Sequence, residues 1–213
     1  MSCCSHCSAP EPKPDDRAQR RVLWAVLAIN AAMFAIEVGA GLVSGSASLQ
    51  ADALDFLGDA ANYGVSLAVI GMALRHRASA ALLKGVTMAL FGLWVIAVTI
   101  WHGVYGIVPA AETMGAVGLM ALAANAASFG LLWAYRDGDA NMRSAWICTR
   151  NDVLGNLAVM LAALGVFGTG AGWPDLIVAG VMAILALQGA VLVIGQSLRE
   201  LRGQPASASV PAS

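Results

Sequence analysis

Read from its N-terminus, the chain alternates long apolar stretches with short polar or basic interruptions. Six such stretches stand out, at residues 22–43, 48–74, 78–101, 113–135, 145–168 and 175–198. Each runs to roughly 20–25 residues, the length a helix needs to cross a hydrocarbon core of about 30 Å. None shows the period-two alternation of a membrane strand, which disfavours a β-barrel. The first is too long for the core of a cleaved signal, and no small-residue cleavage motif follows it. The pattern predicts an all-α integral membrane fold, a bundle of six transmembrane helices. Stretches two and five contain acidic residues and would score weakly on hydropathy alone.

Outside these stretches little is left to fold. Residues 1–20 are polar and proline-containing and read as a tail bearing Cys and His; residues 21–199 form the transmembrane unit; residues 200–213, rich in Ser, Ala and Pro, read as a second short tail. Composition agrees. Hydrophobic residues make up 59% of the 213 and charged residues 12%, against roughly 45–50% and about 25% in soluble domains. A water-soluble core could not hide that much apolar surface.

Charge placement sets an orientation. Six spans put both termini on one side, and all 12 Lys and Arg fall on that side or near its membrane boundary. Lys13, Arg17, Arg20 and Arg21 precede span one. Arg75 and Arg77 separate spans two and three, with Lys84 just beyond. Arg136 and Arg143 bracket the fourth loop, Arg150 follows, and Arg199 and Arg202 close span six. By the positive-inside bias both termini are cytoplasmic, in a cell (inner) membrane, with lipid as the surrounding partner. The net charge of −1, with no basic stripe carrying interleaved aromatics, gives no sign of a nucleic-acid partner.

The informative residues are acids inside the spans. Span two carries Asp52, Asp55 and Asp59, span five carries Cys148 and Asp152, and span one carries Glu37. A carboxylate at mid-span costs about 2.5–3.5 kcal/mol on the insertion scale, so these groups must face a hydrated cavity, one another or a cation. Asp55 and Asp59 are four apart and share a helix face, as do Cys148 and Asp152. At 1.5 Å per residue both pairs reach mid-bilayer, roughly 14–16 Å from opposite ends of their spans. Two helices each offering such a pair can build a four-coordinate metal site of three carboxylates and one thiolate. Asp52 reads as a helix cap or as a group that orients a neighbour. Cys148 taken alone reads as core filling, and its spacing to Asp152 favours a ligand. Arg150, two residues from both, lies on the opposite face and snorkels towards the cytoplasm.

At these residues the chain resembles the cation diffusion facilitator family of divalent-metal transporters, most closely in SGSASLQADALDFLGDAAN and SAWICTRNDVLGNLAVMLAALGV. The resemblance implies metal ligands at Asp55, Asp59, Cys148 and Asp152, alternating access, and a homodimer. Three features depart from the family pattern. Cys148 stands where His or Asp is usual. Only Arg75-His76-Arg77 remains of a usual His-Pro-Tyr-Gly stretch, and the cytoplasmic metal-binding domain expected after span six is not found in this sequence.

Metal binding needs deprotonated ligands and so releases protons; protons arriving from outside would compete the metal off and drive efflux by antiport. Asp55, Asp59 and Asp152 would then serve as ligands and proton carriers together. Asp52, Asn151, Asn156 and Glu37 are candidates for supporting them. Mixed oxygen and thiolate ligation suits Zn²⁺ first and Cd²⁺ second, carried as the transported ion, with no cofactor. Glycines such as Gly58, Gly64, Gly71, Gly155 and Gly180 allow helices to approach closely. Cys3, Cys4, His6 and Cys7 form a loose cluster suited to collecting metal in a reducing cytoplasm. His76 and His102 read as interfacial polar residues. The competing reading is a membrane-embedded metal-dependent enzyme using the span-two carboxylates. Its loops, however, are short and offer no polar platform for a substrate.

Overall fold

A computed structural model describes residues 16–68, 74–133 and 140–202. They form six helices: α1 Asp16–Ser44, α2 Ala47–Ala68, α3 Leu74–Tyr105, α4 Ala111–Trp133, α5 Ala140–Thr169 and α6 Trp173–Leu201. No strand occurs among the described residues. The six apolar stretches thus become six helices of 22 to 32 residues. Five are long and apolar enough to cross a membrane, α5 over Asp152–Thr169. The exception is α2, with three aspartates in its 22 residues.

Its position explains how α2 tolerates them. From Ser46 to Phe56 every residue except half-buried Asp55 is buried. The helix packs against α1, α3, α5 and α6, so protein rather than lipid surrounds it. The outward faces of the other helices are apolar, as at Leu93, Leu161, Phe167 and Val191. That is the surface a hydrocarbon solvent requires.

The connections α1–α2, α3–α4 and α5–α6 lie at one end of the bundle, and each begins with a glycine in the left-handed region: Gly45 at φ 68°, Gly106 at φ 64° and Gly170 at φ 64°. Only glycine adopts that conformation without strain, and it lets the next amides turn back onto free helix carbonyls. Ser46 N donates to Gly41 O at 3.0 Å, Ile107 N to His102 O at 3.0 Å and Gly170 N to Val166 O at 2.8 Å. The three turns are also tied to one another. Ala110 N donates to Ser44 O at 3.0 Å, and Gly172 lies directly against the Ile107 carbonyl oxygen.

Packing divides the bundle. Helix α3 lies chiefly on α6, where Gly85 and Gly92 receive Ile194 and Leu187. Helices α1, α2, α4 and α5 surround a second interior. At the turn end Leu49, Met114, Val117, Val159 and Val166 form its apolar core; at the opposite end Leu23, Val26, Tyr63, Leu67 and Leu132 do so. Between them lies a buried polar layer of Asn30, Glu37, Asp52, Asp59, Asn125, Ser128 and Asn156. Small-residue contacts suit a bundle in lipid, where association rests on close packing and interhelical hydrogen bonds.

Candidate functional site

Asp52, Asp55 and Asp59 follow one another along α2 at spacings of three and four, so they form one stripe. Asp52 is 1% exposed and Asp59 8%. Helix α5 crosses this stripe at Gly155. A Cβ there would stand 3.6 Å from Asp55 Oδ2 and 3.9 Å from Asp52 Oδ1, and the missing side chain is what lets the helices approach. Since α2 and α5 run antiparallel, the turn of α5 before Gly155 lies level with the α2 turn after Asp55. Asp152, three residues before Gly155 and on its face, stands at the level of Asp55 and Asp59, about 4.5 Å along the axis from the crossing.

Two amides hold the stripe. Asn156 Nδ2 donates to Asp52 Oδ2 at 2.7 Å, and Asn125 Nδ2 donates to Asn156 Oδ1 at 2.8 Å. A relay thus runs from α4 through α5 to α2. Glu37 of α1, 0% exposed, completes the ring, its carboxyl within hydrogen-bonding reach of Asp52. Asp59 Oδ2 accepts a long 3.5 Å bond from Tyr63 Oη. Lys84, buried on α3, donates its Nζ proton to Asn62 Oδ1, one turn beyond Asp59. Among the described residues, the five carboxyls of Glu37, Asp52, Asp55, Asp59 and Asp152 stand against this one buried lysine, an anionic environment suited to a cation.

Of the residues singled out from sequence, Asp55, Asp59 and Asp152 share one level, while Asp52, Asn156 and Glu37 join through hydrogen bonds or close approach. Cys148 and Asn151 lie on α5, but their side chains fall outside the described residues, as do Cys3, Cys4, His6 and Cys7, together with Gly71 and the Arg150 side chain. Among the described residues no three His, Cys, Asp or Glu side chains are arranged to hold a metal. The glycines separate: a Cβ on Gly58 would meet Met88 at 3.2 Å and one on Gly64 would meet Leu27 at 3.9 Å, whereas one on Gly180 would meet nothing within 4 Å.

Sequence reasoning passed over Asn125, Tyr63 and Asp175. Asn125 is the lone amide of a largely apolar α4, a signal available without coordinates. Asp175 gave none, since an acid in the first turn of a helix ordinarily serves its own N-terminus. Here it serves α2: Asp175 Oδ2 accepts from Ala47 N at 2.8 Å, and Oδ1 accepts from Ser46 Oγ at 2.7 Å and Ser48 N at 3.0 Å.

A lipid-facing bundle whose most polar helix is central, with interior acids contributed by α1, α2 and α5, has the architecture of a multi-pass membrane transporter of cations. The chain matches the cation efflux transmembrane domain over residues 23–202, and it belongs to that family, the cation diffusion facilitators. It is 30% identical to zinc transporter ZitB of Escherichia coli over 220 aligned residues, covering 97% of this chain and 70% of that protein. The ZitB proteins of Pectobacterium atrosepticum and Yersinia pestis are 32% and 28% identical, and each alignment covers 64% of the relative.

Proposed function

We propose that this divalent-cation efflux transporter carries Zn²⁺ first and Cd²⁺ second, in exchange for protons, by alternating access through a four-coordinate site of Asp55, Asp59, Cys148 and Asp152. The observation that supports the reading is the close crossing of α5 over the α2 acids at Gly155, 3.6 Å from Asp55 Oδ2, with Asp152 one helical turn away on the same face of α5. The zinc-transporter names of the relatives favour zinc. A borderline ion also suits three carboxylates with one thiolate, which Mg²⁺ or Ca²⁺ would not select.

Orientation follows from charge. Arg20 and Arg21 at the start of α1, Arg75 at the start of α3 and Arg199 at the end of α6 all lie at the end of the bundle away from the three glycine turns. The positive-inside bias makes that end cytoplasmic and the turn end external, in an inner membrane. Metal entering from the cytoplasm displaces protons from the ligands, since only deprotonated groups coordinate. When the site opens outwards, protons reclaim the carboxylates and release the ion. The N-terminal thiols and imidazole would raise the local metal concentration at the cytoplasmic mouth.

The test is metal uptake into inside-out vesicles or proteoliposomes holding a zinc-sensitive dye, with and without an imposed pH gradient. Replacing Asp55, Asp59 or Asp152 singly by Ala should abolish flux while the protein still inserts. Flux that survives all three replacements refutes the site.

A further inference from the structure

The metal ligands proposed above leave two buried acids unused. Glu37 is 0% exposed and Asp52 1%. Among the described residues, neither oxygen of Glu37 meets a donor, and neither does Asp52 Oδ1. Asp52 Oδ2 is held by Asn156 Nδ2 at 2.7 Å, and Asn156 is held in turn by Asn125, so the carboxyl is fixed in orientation. The free edge of Asp52 lies within hydrogen-bonding reach of Glu37. Two bare carboxylates at that separation, away from water, repel each other and have no hydrogen to share; a single proton turns the same geometry into a short hydrogen bond.

Among the described residues, the neighbouring elements supply no alternative. On α2 the other acid acting on Glu37 is Asp55. Helix α4 presents neutral Asn125 and Ser128, and its Glu112 is exposed at the turn end. Asp152 of α5 adds negative charge. On α1, Asn30 spends its Nδ2 on Val26 O at 2.8 Å. Lys84 of α3 is committed to Asn62, and Asp175 of α6 to the start of α2. Among the described residues no cation bonds to either acid, and no third ligand makes the pair a metal site. A proton is the occupant that fits.

We infer that Glu37 and Asp52 form a proton-binding site separate from the metal ligands, holding one shared proton in the metal-free carrier and releasing it when a divalent cation seats on Asp55. The coupling is electrostatic. Asp55 lies one helical turn along α2 from Asp52, about 4.5 Å in rise; a cation of charge +2 bound there reverses the sign of the field at the pair and expels the proton. By linkage the proton in turn weakens the metal. This deepens the antiport reading and rests on it, because it gives the exchanged proton a place that does not require a ligand to carry it.

The experiment is infrared difference spectroscopy of the purified full chain in lipid, near neutral pH, before and after Zn²⁺. The metal-free wild type should show a protonated-carboxyl C=O band that bleaches on Zn²⁺ addition. Glu37→Gln and Asp52→Asn should each remove it, and Glu37→Asp should restore it at a shifted frequency. Calorimetry in buffers of different ionisation enthalpy should find about one fewer proton released per zinc in Glu37→Gln. A wild type without the band, or a band that persists in both neutral variants, overturns the inference. So does a proton count unchanged by Glu37→Gln. Should one variant fail to fold, the other carries the spectroscopic test. Asp55→Asn separates the two readings: it should keep the band but lose its zinc response. If wild type binds no zinc, the transport reading fails, while the band and its loss in Glu37→Gln still judge the pair.

Discussion

Asp175, near the start of α6, accepts a 2.7 Å hydrogen bond from Ser46 Oγ in the α1–α2 turn, 129 residues away in sequence. With Ala47 N and Ser48 N also donating to it, its buried carboxylate caps a helix other than its own. Free amides and the positive end of the dipole gather at an N-terminus, where an anion is most useful. The bond therefore fixes the N-terminal end of the acid-bearing helix to α6. Asp175→Ala should cost roughly 2–4 kcal/mol, since three donors lose a charged acceptor in a buried setting. Thermal unfolding in detergent should show a clear loss for Ala and a smaller one for Asn, which keeps one acceptor oxygen. Equal stability of all three proteins would show that the cap contributes nothing.

The amide relay makes a different demand. Asn156→Ala removes the hydrogen bond that Asn156 Nδ2 gives Asp52 Oδ2 and leaves a buried oxygen bare, a cost of about 1–3 kcal/mol. Groups that orient a metal site typically change affinity by about 10–100-fold when removed. Zinc binding by titration calorimetry should weaken into that range for Asn156→Ala, and less for Asn125→Ala, which acts one bond further out. Wild-type affinity in Asn156→Ala would show that Asp52 has no hold on the site.

How far the sequence alone reaches can be judged from particular residues. The six helices follow from hydrophobic length, and the Asp52–Asp55–Asp59 stripe from helical spacing, because both are local properties. Even the weak hydropathy of α2 was readable, since its aspartates lie in plain view. The Asp175 cap and the Asn125–Asn156–Asp52 relay were not, because each joins segments that only tertiary packing brings together. Among the glycines, spacing could not tell Gly155, which faces a neighbouring helix, from Gly180, which does not. That difference depends on how each helix is rotated about its axis, and around Gly180 α6 is apolar on nearly every side.

Two of these small residues give opposite predictions. A methyl group on Gly172 would collide with the Ile107 carbonyl oxygen, and backbone cannot move aside as a flexible side chain would. Gly172→Ala should destabilise the closed turn end by about 1–3 kcal/mol, the usual range for overpacking. Gly180 has nothing within 4 Å, and Ala is the better helix former by up to about 1 kcal/mol. Gly180→Ala should leave melting temperature and flux unchanged or slightly improve the former. A damaging Gly180→Ala would mean that this face meets a partner, such as a second copy of the chain.

Metal choice should turn on the one soft ligand. Thiolate favours Cd²⁺ relative to Zn²⁺ more than any oxygen donor does, and the three carboxylates of the proposed set do not distinguish the two strongly. Cys148→Ser keeps size and removes softness, so cadmium affinity should fall by more than zinc affinity. Cys148→Asp, with four oxygen donors, should move the site further towards harder ions and admit Mn²⁺. Competition between the two metals, read as the ratio of initial uptake rates in dye-loaded vesicles, measures this directly. A ratio unchanged in both variants would remove Cys148 from the ligand set without touching Asp55, Asp59 or Asp152. The fourth ligand would then have to be sought elsewhere on the first turns of α5.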